Sequence, residues 1–216
     1  MAGSVFASGG DGRGRALRAL LVTAFAAMTL LPAVMVLTTA GAGEVPLFTA
    51  MRILGLEAFT LIFVNIVTGA LSRYFYRLFK PRLFQRFHIA CGVLGFLMAL
   101  AHGTIVIGKR YYSGYNAIWI IGPVTLGLLA ITIFAAADKR RLPRIWRRIH
   151  QINYLIFAGV FVKALLIGSD LKANNASAII IKILFIVYAV VASVATGARV
   201  WRYEFMARSR SSTTIG

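Results

Sequence analysis

Three histidines carry the chemistry legible in this chain. His88 and His102 stand fourteen residues apart in one strongly apolar stretch, and His150 opens another beside an arginine-rich segment. At about 100° per residue, a separation of fourteen returns both imidazoles to one helix face, about 21 Å apart along the axis. Imidazole inside an apolar stretch is expensive to bury and marks function. It is also a common axial ligand of haem iron. The three histidines therefore predict two stations for b-type haem at different depths, with His88, His102 and His150 as metal ligands.

Helices crossing a membrane must position them. Hydrophobic residues form 59% of the 216-residue chain and charged residues 14%, with mean hydropathy +0.79. A soluble domain carries about 25% charged residues. Six apolar runs, near 17–39, 51–72, 84–107, 116–137, 148–168 and 178–200, reach the roughly 20 residues that a spanning helix needs. The expectation is an all-α membrane protein: a six-helix transmembrane bundle over 16–202, a tail over 1–15 and a tail over 203–216. Basic residues followed by an apolar run and Thr39-Ala40-Gly41-Ala42 resemble a cleavable leader. That run exceeds the usual 7–15 residues of an h-region, so a retained first helix is expected.

The net charge of +18 would suggest nucleic acid in a soluble chain, but its placement says otherwise. Basic residues cluster before the first span (Arg13, Arg15, Arg18), after the second (Arg73, Arg77, Lys80, Arg82, Arg86), after the fourth (Lys139, Arg140, Arg141, Arg144, Arg147, Arg148) and after the sixth (Arg199, Arg202, Arg208, Arg210). All four segments fall on one side of a six-helix path. By the positive-inside rule both termini are expected to be cytoplasmic. That face suits anionic lipid or an acidic partner, and no nucleic acid is expected.

His88 follows Arg86 by two residues and His150 follows Arg148 by two. Both imidazoles thus enter the membrane at a similar shallow depth and suit an axial pair. Arg82, Arg86, Arg147 and Arg148 are either partners for the two haem propionates or simple topology signals. The bland alternative for the histidines is hydrogen bonding between helices. The outer station has His102 on the third span, and the fifth span offers Lys163 at the matching depth. A neutral lysine amine is one candidate ligand; snorkelling of its ammonium to the interface is the other reading. Thirteen residues from His150 also leave Lys163 about 140° off that face in an ideal helix.

The pattern His88-x13-His102, with Trp146-Arg147-Arg148-Ile149-His150-Gln151-Ile152-Asn153-Tyr154 opening the fifth span, resembles the ferric reductase-like transmembrane domain. The likeness extends over nearly the whole chain, including a second span beginning near Leu47 to Leu54. That family includes the membrane parts of ferric reductases and NADPH oxidases and the haem-binding membrane subunit of the bacterial methionine sulfoxide reductase system. The resemblance implies a six-helix bundle with one or two haems b between its third and fifth helices, in a bacterial inner membrane. By it, His88 and His150 match the inner ligand pair and His102 the outer ligand of the third helix. The chain departs from the pattern at Lys163, where the family has a second histidine. The family's larger enzymes carry a flavin and nicotinamide domain after the sixth helix, whereas a short tail follows Arg199 here. Electrons are therefore expected from a separate cytoplasmic donor, a flavin reductase or quinol, and to leave toward an exoplasmic acceptor.

The remaining polar residues fit structural roles. Arg52 and Glu57 suit a local ion pair or snorkelling. Asn65 suits a bond to a neighbouring helix. Tyr111, Tyr112, Tyr115 and Trp119 suit an interfacial aromatic belt. Ala189, Ser193 and Gly197 form a small-residue stripe for packing within the bundle or in a homodimer. Cys91, the single cysteine, excludes an intrachain disulfide. Asn175-Ala176-Ser177 matches a glycosylation acceptor, a short and common pattern. Two non-redox alternatives stay open: an assembly subunit docking a soluble partner, and a small-solute channel or transporter.

Overall fold

The computed structural model describes residues 9–41, 43–109 and 117–212; Arg110, Tyr111, Tyr112 and Tyr115 lie outside them. The described residues form helices α1 (Gly9–Thr39), α2 (Pro46–Ala70), α3 (Ser72–Leu78), α4 (Pro81–Gly108), α5 (Ile121–Ala137), α6 (Trp146–Ile167), α7 (Ser169–Lys172) and α8 (Ala176–Ser212), with a 3-10 turn at Ala117–Ile120 and no strand. Six of these helices, α1, α2, α4, α5, α6 and α8, are long and apolar enough to cross a membrane. Their order matches the six expected spans, so the third span is α4 and the fifth α6. Prolines set two starts: Pro46 and Pro81 occupy the first turn of α2 and α4, where a missing N–H is harmless. Lys80, held extended by Pro81, separates α4 from the short α3.

The centre of the molecule is α2. Its sequence is apolar on every face, and most of it is buried, whereas the other spans keep an apolar outer surface. A helix hydrophobic all round belongs inside. On one side α2 packs with α1 and α8; on the other it joins α4, α5 and α6 in a four-helix ring. Within that ring α4 and α6 both approach α2 and α5 but scarcely approach each other. They stand at opposite corners and face a shared interior. Stacked aromatics fill the junction of α2, α6 and α8: Phe59 lies 4.7 Å from Phe157 and 4.3 Å from Phe185, and Phe63 lies 4.2 Å from Tyr188, centroid to centroid. Such pairs add about 0.5–1.5 kcal/mol each beyond area burial.

The end of the bundle opposite the arginine clusters is clamped by Arg52. Its Nη1 donates to both Glu44 oxygens at 3.0 Å, its Nε to Asp170 Oδ1 at 2.8 Å and its Nη2 to Thr39 Oγ1 at 3.2 Å. One guanidinium so ties the end of α1, the following turn, α2 and α7. The sequence expectation of a local pair with Glu57 is corrected here: five helical positions turn Glu57 to the other face, and Arg52 pairs with Glu44 and Asp170. Thr49 donates to Glu44 Oε1 at 2.6 Å. That hydrogen bond, with help from Arg52, holds the Glu44 carboxyl below its ordinary value against the opposing effect of burial. A carboxyl lowered on folding adds stability that is complete above the ordinary carboxylate range and is lost as pH falls through the lowered value. The melting temperature in detergent is therefore expected to fall on acidification below about pH 4.3, and Glu44→Gln to flatten that part of the curve. An unchanged slope in the variant would remove Glu44 from the clamp.

Candidate functional site

The structure brings His88 of α4 and His150 of α6 together across the four-helix ring, ring centroids 6.1 Å apart and planes at 63°. Both are half-buried near the end that carries the arginine clusters. Two metal–nitrogen bonds of about 2.0–2.1 Å plus the two ring radii give a separation of about 6 Å. The spacing therefore suits one metal ion held between two imidazoles. No group of three or more His, Cys, Asp or Glu converges among the described residues. The convergent donors are two imidazoles, His88 and His150.

Hydrogen bonds decide which nitrogen each ring presents. Thr68 Oγ1 lies 2.7 Å from Val64 O and 3.2 Å from His88 Nδ1. A hydroxyl has one proton; given to the carbonyl, it leaves a lone pair that accepts from His88 Nδ1–H. His88 Nε2 is then the bare nitrogen. At His150, Asn153 Nδ2 stands 3.4 Å from Nδ1, and Asn153 Oδ1 stands 2.8 Å from Thr132 Oγ1. Thr132 Oγ1 also lies 2.9 Å from Leu129 O, so its single proton faces two acceptors. Exchanging the ends of the Asn153 carboxamide, which the network assigns, removes the conflict. Thr132 then donates to Leu129, Asn153 donates to Thr132, and His150 Nδ1–H donates to Asn153. Both rings become neutral imidazoles held at Nδ1 and open at Nε2, the arrangement in which histidine ligates metal.

A matched register between α2 and α4 seats the two histidines of α4. A Cβ added to Gly69 would lie 3.3 Å from His88 Cε1, and one added to Gly55 only 2.8 Å from His102 Nδ1. Gly55 and Gly69 are fourteen residues apart, the spacing of His88 and His102. Between them Gly92 of α4 makes room for Asn65, whose Nδ2 donates to the His88 carbonyl at 2.7 Å, and Gly95 lies against Leu61 and Ile62. The four glycines let the antiparallel helices close around two imidazoles and an amide. Asn65 makes the interhelical bond its position in the second span suggested. The paired spacing of Gly55 and Gly69 was the signal in the sequence that these glycines serve the histidines.

At the opposite station His102 Nδ1 donates to Met51 O at 2.9 Å, again leaving Nε2 bare. Lys163 of α6 is the residue the sequence offers as its partner. Its Nζ, however, sits 5.9 Å from the centre of the Trp119 ring, in the space left by Gly122, where a Cβ would come within 2.6 Å. An ammonium held over an indole face is a cation–π contact, and in this position Lys163 ligates nothing. The chain offers two imidazoles at one station and a single imidazole at the other.

Arg82, Arg86, Arg147 and Arg148 are all exposed around the inner station, with Arg147 lying over Trp146. A fifth arginine comes closer. Arg199 of α8 turns inward, its Nη1 donating to Gly69 O and to Tyr154 Oη at 3.2 Å each. The sequence placed Arg199 among the topology signals; its seat beside Gly69, against His88, could not be read without knowing how α8 lies on α2. Cys91 is buried and unpaired with any thiol. Ser193 and Gly197 are exposed on the outer face of α8.

No family model, no curated protein and no solved structure matches this chain.

Proposed function

We propose that the chain is a membrane b-type cytochrome of the ferric reductase-like kind, with both termini cytoplasmic and one haem b held between His88 and His150. The observation that carries the reading is the His88–His150 pair: two imidazoles from diagonal helices, ring centroids 6.1 Å apart, each with a polar side chain within reach of its Nδ1. Haem b, if bound, would be held by His88 and His150 and would supply a one-electron iron couple. Thr68 and Asn153 fix ring orientation and raise ligand basicity through Nδ1. Arg82, Arg86, Arg147 and Arg148 supply the charge-assisted hydrogen bonds for two propionates. The same basic face attracts an acidic electron donor, a flavin reductase, or admits a quinol from the lipid; delivery to an exoplasmic acceptor needs a further redox centre to bridge the roughly 21 Å between the two stations.

The test is haem per chain on the purified protein, by pyridine haemochrome assay with reduced-minus-oxidised spectra. One haem with a bis-imidazole spectrum is expected. No haem under haem-replete expression would overturn the reading in favour of a non-redox membrane subunit.

A further inference from the structure

A second polar cluster lies on the other side of α2 and is used by none of this chemistry. Glu57 sits near the middle of α2, within the membrane-spanning segment, and is only 8% exposed. Its Oε1 has no hydrogen-bond partner among the described residues. Facing it is the weak point of α1. Pro32 lacks the N–H that would close the helical bond to Met28 O, and Tyr188 of α8 fills that gap by donating its hydroxyl to Met28 O at 3.2 Å. The Ala33 backbone, next to the proline, lies beside the Glu57 carboxyl. Thr60, fully buried, directs its own hydroxyl to Leu56 O at 3.0 Å and contacts the Tyr188 hydroxyl.

Among the described residues, no packed element supplies a countercharge to Glu57. Residues 19–43 of α1 and the following turn carry no titratable side chain. Tyr188 is the one titratable group of α8 between Lys182 and Arg199, and it is neutral. On α2 itself Arg52 is committed to Glu44 and Asp170. On α6, Lys163 is turned to Trp119, and on α4 the nearest candidate, Cys91, belongs to the opposite side of α2. An ionised carboxylate with a bare oxygen in such surroundings is far costlier than the neutral acid.

We infer that Glu57 is an intramembrane proton-binding site, a neutral carboxylic acid lodged between the Pro32 break, Thr60 and Tyr188. Its ligand is a proton and not a metal cation. A hard cation requires six or more oxygens, and the buried polar side chains on this side of α2 are Glu57, Thr60 and Tyr188 alone among the described residues. The site rests on the α1–α2–α8 side of the bundle alone and holds with or without haem.

Two readouts test it on the full chain. The infrared spectrum in detergent or vesicles at pH 7 is expected to contain a protonated-carboxyl C=O band that Glu57→Gln removes. If the variant instead loses only carboxylate bands, the inference is overturned. Dicyclohexylcarbodiimide, an apolar reagent that adds to protonated carboxyls, is expected to give one adduct per chain, mapped to the Glu57 peptide and absent from Glu57→Gln. The rate of labelling falls about tenfold per pH unit once the acid titrates. Protection by millimolar sodium at constant pH would make this a metal-cation site and overturn the proton assignment. Should Glu57→Gln fail to fold, pH-dependent labelling of the wild-type chain still decides between acid and carboxylate.

Discussion

Replacing His150 with alanine is expected to empty the chain of haem while leaving its helices in place. The imidazole is not part of the packed aromatic junction at Phe59, Phe157 and Phe185, so the bundle keeps its main apolar contacts. What disappears is one of the two proposed haem ligands, leaving His88 facing an unfilled corner of the ring. Bis-imidazole iron depends on both donors, and the visible spectrum of six-coordinate haem should be lost with either. His88→Ala is expected to give the same result from the other side. Weakening only the Nδ1 contacts, through Thr68→Val or Asn153→Ala, should lower haem affinity by about 10–100-fold without abolishing it. Haem titration of apoprotein, with circular dichroism to follow helix content, separates the graded losses from the complete one. Full haem retention in His150→Ala would sink the assignment of the pair.

Lys163→His is expected to raise haem content from about one to about two per chain. Removing the ammonium takes away the contact with Trp119. The opening beside Gly122 then receives a shorter, neutral ring. His102 already presents a bare Nε2, its Nδ1 being fixed on Met51 O, so the substitution supplies only the missing partner. A second component in the redox titration, absent from the parent, is the sign to look for. Haem content unchanged from the parent would mean that α4 and α6 do not open to a second macrocycle at that depth.

Composition made the six spans legible because burial in lipid demands long apolar runs, and those runs are local properties of the chain. The limits shifted at the polar ends. The first span was read from 17, yet the helix runs from Gly9, since the arginines before it can lie on a helix as well as beside one. The seven residues Ser72–Leu78 form a separate turn of helix that no apolar run signals. Within the site, the facing of His88 and His102 followed from their spacing, whereas their seats did not. Thr68, Asn153 and Arg199 matter through which helix lies against which, and periodicity on one helix says nothing of its neighbour. Arg52 was misread for the same reason: its strongest partner, Asp170, stands 118 residues away in sequence.

The close fit of α2 to α4 also bears on the order in which the molecule is made. As the chain emerges, α2 and α4 are complete well before His150 is synthesised. The glycine seats at positions 55 and 69, the Thr68 and Met51 acceptors and the Asn65 clasp all belong to these two helices. A nascent hairpin ending near residue 108 thus already holds both imidazoles of α4, with their Nδ1 protons bound and their Nε2 atoms waiting. The proposed His88–His150 pair can close only when α6 arrives, so on that reading haem capture is a late step of biogenesis, taken after the first half of the bundle has formed.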